Sequence, residues 1–231
     1  MPLTVLDPNN PEQEFPTLTK ALSVPDGLLA IGGCLSRQRL IKAYRHGVFP
    51  WFNPDDPILW WSPDPRLVLF PDRLAISHSL KKTLRKAIYT VTFDQAFDQV
   101  IRACAEPRKQ STGTWITDDM NRAYRELHQL GIAHSVETWR QGELVGGLYG
   151  VGIGQVFFGE SMFHTQTDAS KVAFAHLVAQ LKDWGYHLID CQVHTQHLVS
   201  LGAEEIKRDM FKKLLDQYCD APISPNAWQN P

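Results

Sequence analysis

The sequence predicts an α+β fold built as a small proline-rich first part and a larger mixed second part. Three observations predict it. Eleven of the fifteen prolines lie at or before Pro71, which imposes short elements joined by rigid turns. Hydrophobic alternation from about His134 to Gly159 marks an antiparallel meander. A long helical pattern and then one strongly apolar strand follow that meander. At 231 residues and 43% hydrophobic, the chain is large enough to bury a real core.

The elements can be justified in order. Residues 36–47 read as a helix, with Ser36 as N-cap, Leu40, Ala43 and Tyr44 on one face, and Gly47 as C-cap. Pro63-Asp64-Pro65 marks a boundary, giving parts 1–63 and 64–231. Residues 79–86 predict a short helix with Leu80 and Leu84 inward. Asp94 is placed to cap a helix through about Ala105, and Thr117 another through about Leu130, closed by Gly131. Ser135 to Trp139 alternates, Gln141-Gly142 makes a turn, and 144–151 and 155–159 complete the meander. A helix from about Thr167 or Asp168 to Trp184 buries Val172, Ala175, Val178 and Leu181. The strand 186–193, a short helix over 196–201 and a last helix over 209–218 finish the chain. Meander, helix, strand, helix is the order of acetyltransferase-like α+β domains, an analogy of fold alone.

Composition narrows the function classes. No apolar run approaches the roughly 18 residues of a membrane span, and the N-terminus lacks the basic start and apolar stretch of a secretory signal. Cys34, Cys104, Cys191 and Cys219 are scattered without metal-type spacing, as expected of reduced thiols in a cytosolic protein. The formal net charge is -2, so a nucleic-acid partner would need a local basic patch. Lys81, Lys82, Arg85 and Lys86, with Arg66 upstream, offer one; they read either as a phosphate contact or as a solvated helix face.

The strand 186–193 carries the clearest chemical signal. Side chains alternate, so Leu188, Asp190 and Gln192 share one face and Ile189, Cys191 and Val193 the other. Two polar residues on an apolar strand are costly unless bonded or used. A carboxylate two residues from an amide can hold its NH2 and aim its oxygen outward, where it could orient an amine nucleophile. A structural pair satisfying a neighbouring loop is the other reading. Cys191 faces away from that pair and reads as an inert buried thiol. His194 and His197 have metal-like spacing without a third carboxylate ligand nearby, which disfavours zinc. Glu160, within Phe157-Phe158-Gly159-Glu160-Ser161-Met162-Phe163, would make an acidic cleft opposite Asp190 with aromatic and thioether walls, or else cap the next helix. The glycines from Gly146 to Gly154 join strands rather than a strand to a helix, so they are no dinucleotide loop. Residues 160–168 also lack the glycine-rich pyrophosphate loop of CoA enzymes, which argues against a CoA thioester donor. Trp51, Trp115 and Tyr124 are candidates for stacking on a base or walling a pocket, beside the plain alternative of core packing.

These motifs resemble the leucyl/phenylalanyl-tRNA–protein transferase family over roughly residues 15 to 211. They include Pro25-Asp26-Gly27-Leu28-Leu29-Ala30-Ile31-Gly32-Gly33, Gly47-Val48-Phe49-Pro50-Trp51-Phe52, Trp60-Trp61-Ser62-Pro63-Asp64-Pro65-Arg66, Gly113-Thr114-Trp115-Ile116-Thr117, Phe158-Gly159-Glu160-Ser161-Met162-Phe163 and Leu188-Ile189-Asp190-Cys191-Gln192. The resemblance implies an acetyltransferase-like domain behind a small N-terminal one. It implies Leu- or Phe-charged tRNA as donor and proteins with N-terminal Arg or Lys as acceptors, the product carrying a degradation signal. It assigns Asp190 and Gln192 to peptide-bond formation and Glu160 to a pocket carboxylate, with Phe158, Ser161 and Met162 beside it. Trp51, Trp115 and Tyr124 would surround the terminal adenosine and aminoacyl group. The basic helix and Arg66 would contact the acceptor stem. A cytoplasmic monomer without cofactor or metal is expected, because the donor ester is already activated. The chain departs from the family pattern at Cys34 (usually Asp), at His164 (usually Ser), and at Ala75 and His78. A CoA-dependent N-acyltransferase and a non-catalytic tRNA- or peptide-binding module remain as alternatives.

Overall fold

The structure is a computed structural model that describes residues 3–106 and 116–229. Its strands fall into two sheets on either side of Ser62–Pro65. The first contains β1 (Thr4–Leu6), β2 (Leu28–Gly32), β3 (Phe49–Pro50) and β4 (Leu59–Trp61) in the order β1-β2-β4-β3, with α1 (Arg37–His46) between β2 and β3. Strands this short hold too few residues for alternation to show, and the sequence pattern predicted none of them. The helix is where the pattern placed it. Ser36 Oγ accepts the Arg39 N–H, and Gly47, at φ 85°, returns its N–H to Ala43 and Tyr44.

The second part adds β5 (Arg66–Leu69), α2 (His78–Lys86), β6 (Thr90–Phe93), α3 (Phe97–Ala105) and α4 (Asp118–Gln129). The meander follows as β7 (Ala133–Arg140), β8 (Glu143–Ile153) and β9 (Val156–His164). Then come α5 (Ala169–Asp183), β10 (Leu188–Gln192), α6 (Gln196–Val199), β11 (Glu204–Ile206) and α7 (Arg208–Tyr218). Seven strands form one mixed sheet in the order β11-β5-β10-β9-β8-β7-β6. The meander, the crossover helix α5 and the parallel strand β10 reproduce the acetyltransferase-like order. Among the described residues no helix is long and apolar enough to cross a membrane.

Local chemistry explains most boundaries. Gln141 and Gly142 both have positive φ, the conformation that matches a two-residue hairpin to strand twist. Thr117 Oγ1 accepts the Met120 N–H and caps α4. Asp94 does not cap α3 as expected. It sits at φ 55° and turns its carboxylate to the Ser135 N–H, at 2.7 Å, and to His134 Nδ1, at 2.7 Å. Buried Glu137 takes over instead, accepting the Ala96 N–H at the start of α3. Helix α2 starts one residue before Ser79, with Ser77 as its cap.

Two apolar layers hold the large sheet. Leu188, Phe158 and Val68 face a cluster with Tyr44, Tyr124, Ile101 and Phe211. Ile189, Phe157 and Leu67 face a second cluster with Leu80, Val172, Leu177 and Leu181. The alternation predicted for β10 therefore holds through Ile189, and Cys191 packs on the second side. Strand β8 lies against its neighbours too closely for side chains at two points. A Cβ at Gly146 would lie 2.6 Å from Ala169 Cβ, and one at Gly150 2.3 Å from the Phe158 carbonyl. The glycine string is thus a packing device within one strand.

Candidate active site

Strands β9 and β10 run parallel only from Val156↔Leu188 to Phe158↔Asp190. Beyond that pair β9 continues along β8 to His164, while β10 continues along β5. The gap between the diverging strands is where the polar residues gather. Each strand carries an irregularity there. Tyr149 pairs with Ser161 and Gly150 with Gly159, so Glu160 is the unpaired, bulged residue. On β10 the register shifts between Asp190 and Gln192, and Gln192 takes φ 63°. A positive φ on a glutamine is uncommon and is held here by its surroundings.

Those surroundings define a network. Glu160 Oε1 accepts from Tyr44 Oη at 2.7 Å and from Gln192 Nε2 at 3.0 Å. Glu160 Oε2 lies 2.8 Å from Tyr124 Oη, and the two tyrosine oxygens are also in contact, so the three pairs share two hydroxyl protons unless the carboxyl supplies a third. Burial is the largest influence on the Glu160 carboxyl and raises it to about 7; the tyrosine bonds oppose the rise, and the negative charge of Asp190 adds to it. The residue keeps some solvent contact along its length, while its carboxyl group lies among packed atoms. Burial first, and then the charge of Glu160, hold both tyrosines far above their ordinary range, so they act as neutral donors.

Asp190 sits differently. Its two oxygens receive Arg66 Nε at 2.8 Å and Arg66 Nη2 at 2.6 Å, and Oδ1 also accepts the Gln192 backbone N–H at 2.9 Å. The guanidinium lies 4.7 Å from the Phe49 ring centroid and 4.6 Å from that of Phe211. Two expectations are corrected here. Asp190 fixes the backbone of Gln192, and Glu160, not Asp190, holds its amide NH2. Arg66 is 1% exposed and wholly engaged, so it cannot serve as a surface contact for a tRNA stem.

The remaining candidates divide. Phe158 is fully buried beneath the network, and Ser161 and Met162 are partly exposed beyond it. Tyr124 has no exposed surface; its ring packs on Tyr149 and only its hydroxyl reaches Glu160. Stacking on a base is closed to it in this conformation. Trp51 is 47% exposed, and its carbonyl accepts the Trp61 indole N–H. Trp115 lies outside the described residues. Lys81, Lys82, Arg85 and Lys86 are all exposed along α2. The Cys191 thiol is pushed up strongly by burial, the opposite of a nucleophile's requirement. His194 is paired with Glu205 at 2.8 Å. Two recesses of 460 and 360 Å³ flank α1, and neither is lined by Glu160, Asp190 or Gln192.

Tyr44 was missed as a site residue. Its signal was a hydroxyl on the buried face of an amphipathic helix, which must find a partner. Arg66 and Asp190 signalled each other in the same way, as opposite charges on strands otherwise apolar.

A carboxyl raised toward neutrality, an amide held beside it and two diverging strands form a candidate group-transfer site. Sequence comparison makes the class specific. The profile for leucyl/phenylalanyl-tRNA protein transferase matches residues 68–216, and that for the N-terminal domain of the same transferase matches residues 33–64. The leucyl/phenylalanyl-tRNA–protein transferase of Methylococcus capsulatus is 57% identical over 99% of this chain and 97% of its own. That of Nitrosomonas europaea is 60% identical over 93% of this chain and 91% of its own. Among solved structures, a GCN5-related N-acetyltransferase from Kribbella flavida is 13% identical, with a TM-score of 0.38 over 70% of this chain and 57% of that one. L-PGS from Bacillus licheniformis is likewise 13% identical, with a TM-score of 0.42 over 71% of this chain and 55% of that one. The chain belongs to the leucyl/phenylalanyl-tRNA–protein transferase family.

Proposed function

We propose that this protein transfers Leu or Phe from charged tRNA to the α-amine of proteins beginning with Arg or Lys, in the cytoplasm and as a monomer, marking them for degradation. One observation carries the chemical part: Glu160 holds the NH2 of Gln192, which leaves the amide oxygen as a fixed acceptor at the strand gap. In this reading the acceptor amine donates an N–H to Gln192 Oε1 and attacks the ester carbonyl. The C–N bond forms, the C–O bond to the ribose breaks, and the amine proton passes to the departing ribose hydroxyl. Gln192 positions rather than deprotonates, since a neutral amide is a poor base. Asp190 and Arg66 set the strand that carries Gln192. Trp51, and Trp115 beyond the described residues, are assigned to the adenosine and aminoacyl group. Ser161, Met162 and Phe158 belong to the same pocket, and α2 meets the acceptor stem.

The test is direct. Labelled Leu-tRNA, Phe-tRNA and acetyl-CoA are offered with a peptide starting with Arg and one starting with Gly. Label from the two tRNAs should reach only the Arg peptide. Transfer from acetyl-CoA, or tRNA binding without transfer, would replace this reading. Replacing Lys81, Lys82, Arg85 and Lys86 by Ala should weaken tRNA binding and flatten its salt dependence by roughly 0.7 to 0.9 in log–log slope per lost contact. An unchanged slope would leave α2 a solvated face.

A further inference from the structure

Helices α1 and α4 and strand β9 each bring one polar side chain to a closed triangle. Tyr44 Oη of α1 contacts Tyr124 Oη of α4 and lies 2.7 Å from Glu160 Oε1 of β9, and Tyr124 Oη lies 2.8 Å from Glu160 Oε2. Gln192 Nε2 joins from outside, 3.0 Å from Oε1. Each of the three sides needs one proton, and two neutral hydroxyls bring two. With an ionised carboxylate both hydroxyls turn to its oxygens, and the tyrosine oxygens then face each other with lone pairs alone. One more proton completes the triangle. Glu160 Oε2–H donates to Tyr124, Tyr124 to Tyr44, and Tyr44 to Oε1. The titratable neighbours leave the acid form favoured. Tyr149 of β8, 5.5 Å from the Tyr124 ring, is kept neutral by burial, and the Arg66 guanidinium of β5 is turned to Asp190 of β10. Burial of the Glu160 carboxyl acts in the same direction.

The triangle also decides how the Gln192 amide is turned. Its backbone is held by Asp190 Oδ1 and sits at φ 63°, so an end-over-end turn of the amide is the freedom that remains. An acid O–H free to reach that amide would bond its oxygen and turn the NH2 to the gap. A proton committed to Tyr124 leaves Oε1 with lone pairs only, one for Tyr44 and one for the Gln192 NH2. We propose that Tyr44 and Tyr124 are positioning residues that confine the Glu160 proton to the triangle, so that the Gln192 oxygen is presented to the acceptor amine in both charge states of Glu160. This rests on the role given to Gln192 under the proposed function.

The experiment is single-turnover transfer from Leu-tRNA to the Arg peptide by wild type and Tyr44→Phe. Phe keeps the packing on Phe158 and opens the triangle. Rates are compared at about pH 6 and about pH 8.5, either side of the Glu160 value of about 7, as variant over wild type, so that titration of the acceptor amine cancels. The loss should be about fivefold greater at the lower pH, because one neutral hydrogen bond then favours the wrong turn of the amide. Added to Glu160→Gln, which does not titrate, Tyr44→Phe should cause a loss that is the same at both pH values. A loss equal at both pH values with Glu160 present, or no loss, would make Tyr44 structural and overturn the proposal. So would a pH dependence that persisted with Glu160→Gln. Infrared difference spectra of wild type against Glu160→Gln need no Tyr44 variant to fold. A protonated-carboxyl band at the lower pH, gone at the higher, is expected; its absence at the lower pH leaves the triangle one proton short and overturns the proposal. If the wild type transferred nothing, the assigned reaction would fall, and the infrared band would still judge the triangle.

Discussion

Asp190 and Glu160 lie on neighbouring strands and bind the same residue, Gln192, yet their surroundings differ in kind. Asp190 faces a buried guanidinium that meets both its oxygens. Glu160 faces two hydroxyls and an amide, and among the described residues no cation is bonded to it. A carboxylate met on both oxygens by a buried guanidinium is fixed in place and holds structure together. One matched only by neutral donors in a packed setting stays able to take up a proton near neutrality. The difference separates a fixed anchor from an adjustable group, although both carboxyl groups lie among packed atoms on apolar strands.

Removing the anchor should have the largest effect. Asp190→Ala leaves Arg66 buried and uncompensated, and should cost about 3 to 5 kcal/mol of stability in urea unfolding. A paired replacement, Arg66→Met with Asp190→Leu, should recover most of that stability. If the single variant unfolded like the wild type, Asp190 would be no anchor. Next comes the residue between the two acids. Gln192→Ala should slow single-turnover transfer by about 100-fold through lost positioning while changing stability by less than about 1 kcal/mol. Comparable losses in both would place Gln192 with Asp190.

The pH-dependent effect tests the adjustable group. The Glu160 carboxyl is raised from 4.5 to about 7. Between those values the folded protein keeps a proton that the unfolded chain has released. Stability from this group is therefore complete below pH 4.5 and is lost as pH rises through 7. The loss amounts to about 1.4 kcal/mol per pH unit within that interval. Glu160→Gln does not titrate. Its stability relative to wild type should improve steadily across the interval and level off above it, by urea unfolding at fixed pH values. A difference that stays flat with pH would mean Glu160 does not titrate in this interval.

Much of this arrangement was legible in the residues, and the gaps have physical causes. The 3.6-residue pattern of α1, α4 and α7 and the caps of α1 and α4 are local and read directly, as does the meander. The four strands of the first sheet, at two to five residues, are stabilised by long-range pairing that local pattern does not carry. Asp94 was misread as a cap because a carboxylate before a helix looks the same whether it turns to the helix or to a neighbouring strand. At the site, alternation placed Asp190 and Gln192 on one side correctly. The bulge at Glu160 and the left-handed Gln192 depend on register between strands, so which acid would hold the Gln192 amide could not be read from spacing. Arg66 was grouped with the surface cations because charge alone does not reveal burial.

The close approach at Gly146 and Gly150 has a consequence for reading sequence variation. At these two positions even a methyl group would meet neighbouring atoms at 2.6 and 2.3 Å. A mutational survey scored only by loss of transfer would therefore flag this stripe of β8 as strongly as the residues around Glu160. The two kinds of sensitivity separate by readout: a side chain at Gly146 meets the backbone at Ala169 and lowers stability, whereas loss of the Gln192 amide slows transfer in a folded protein.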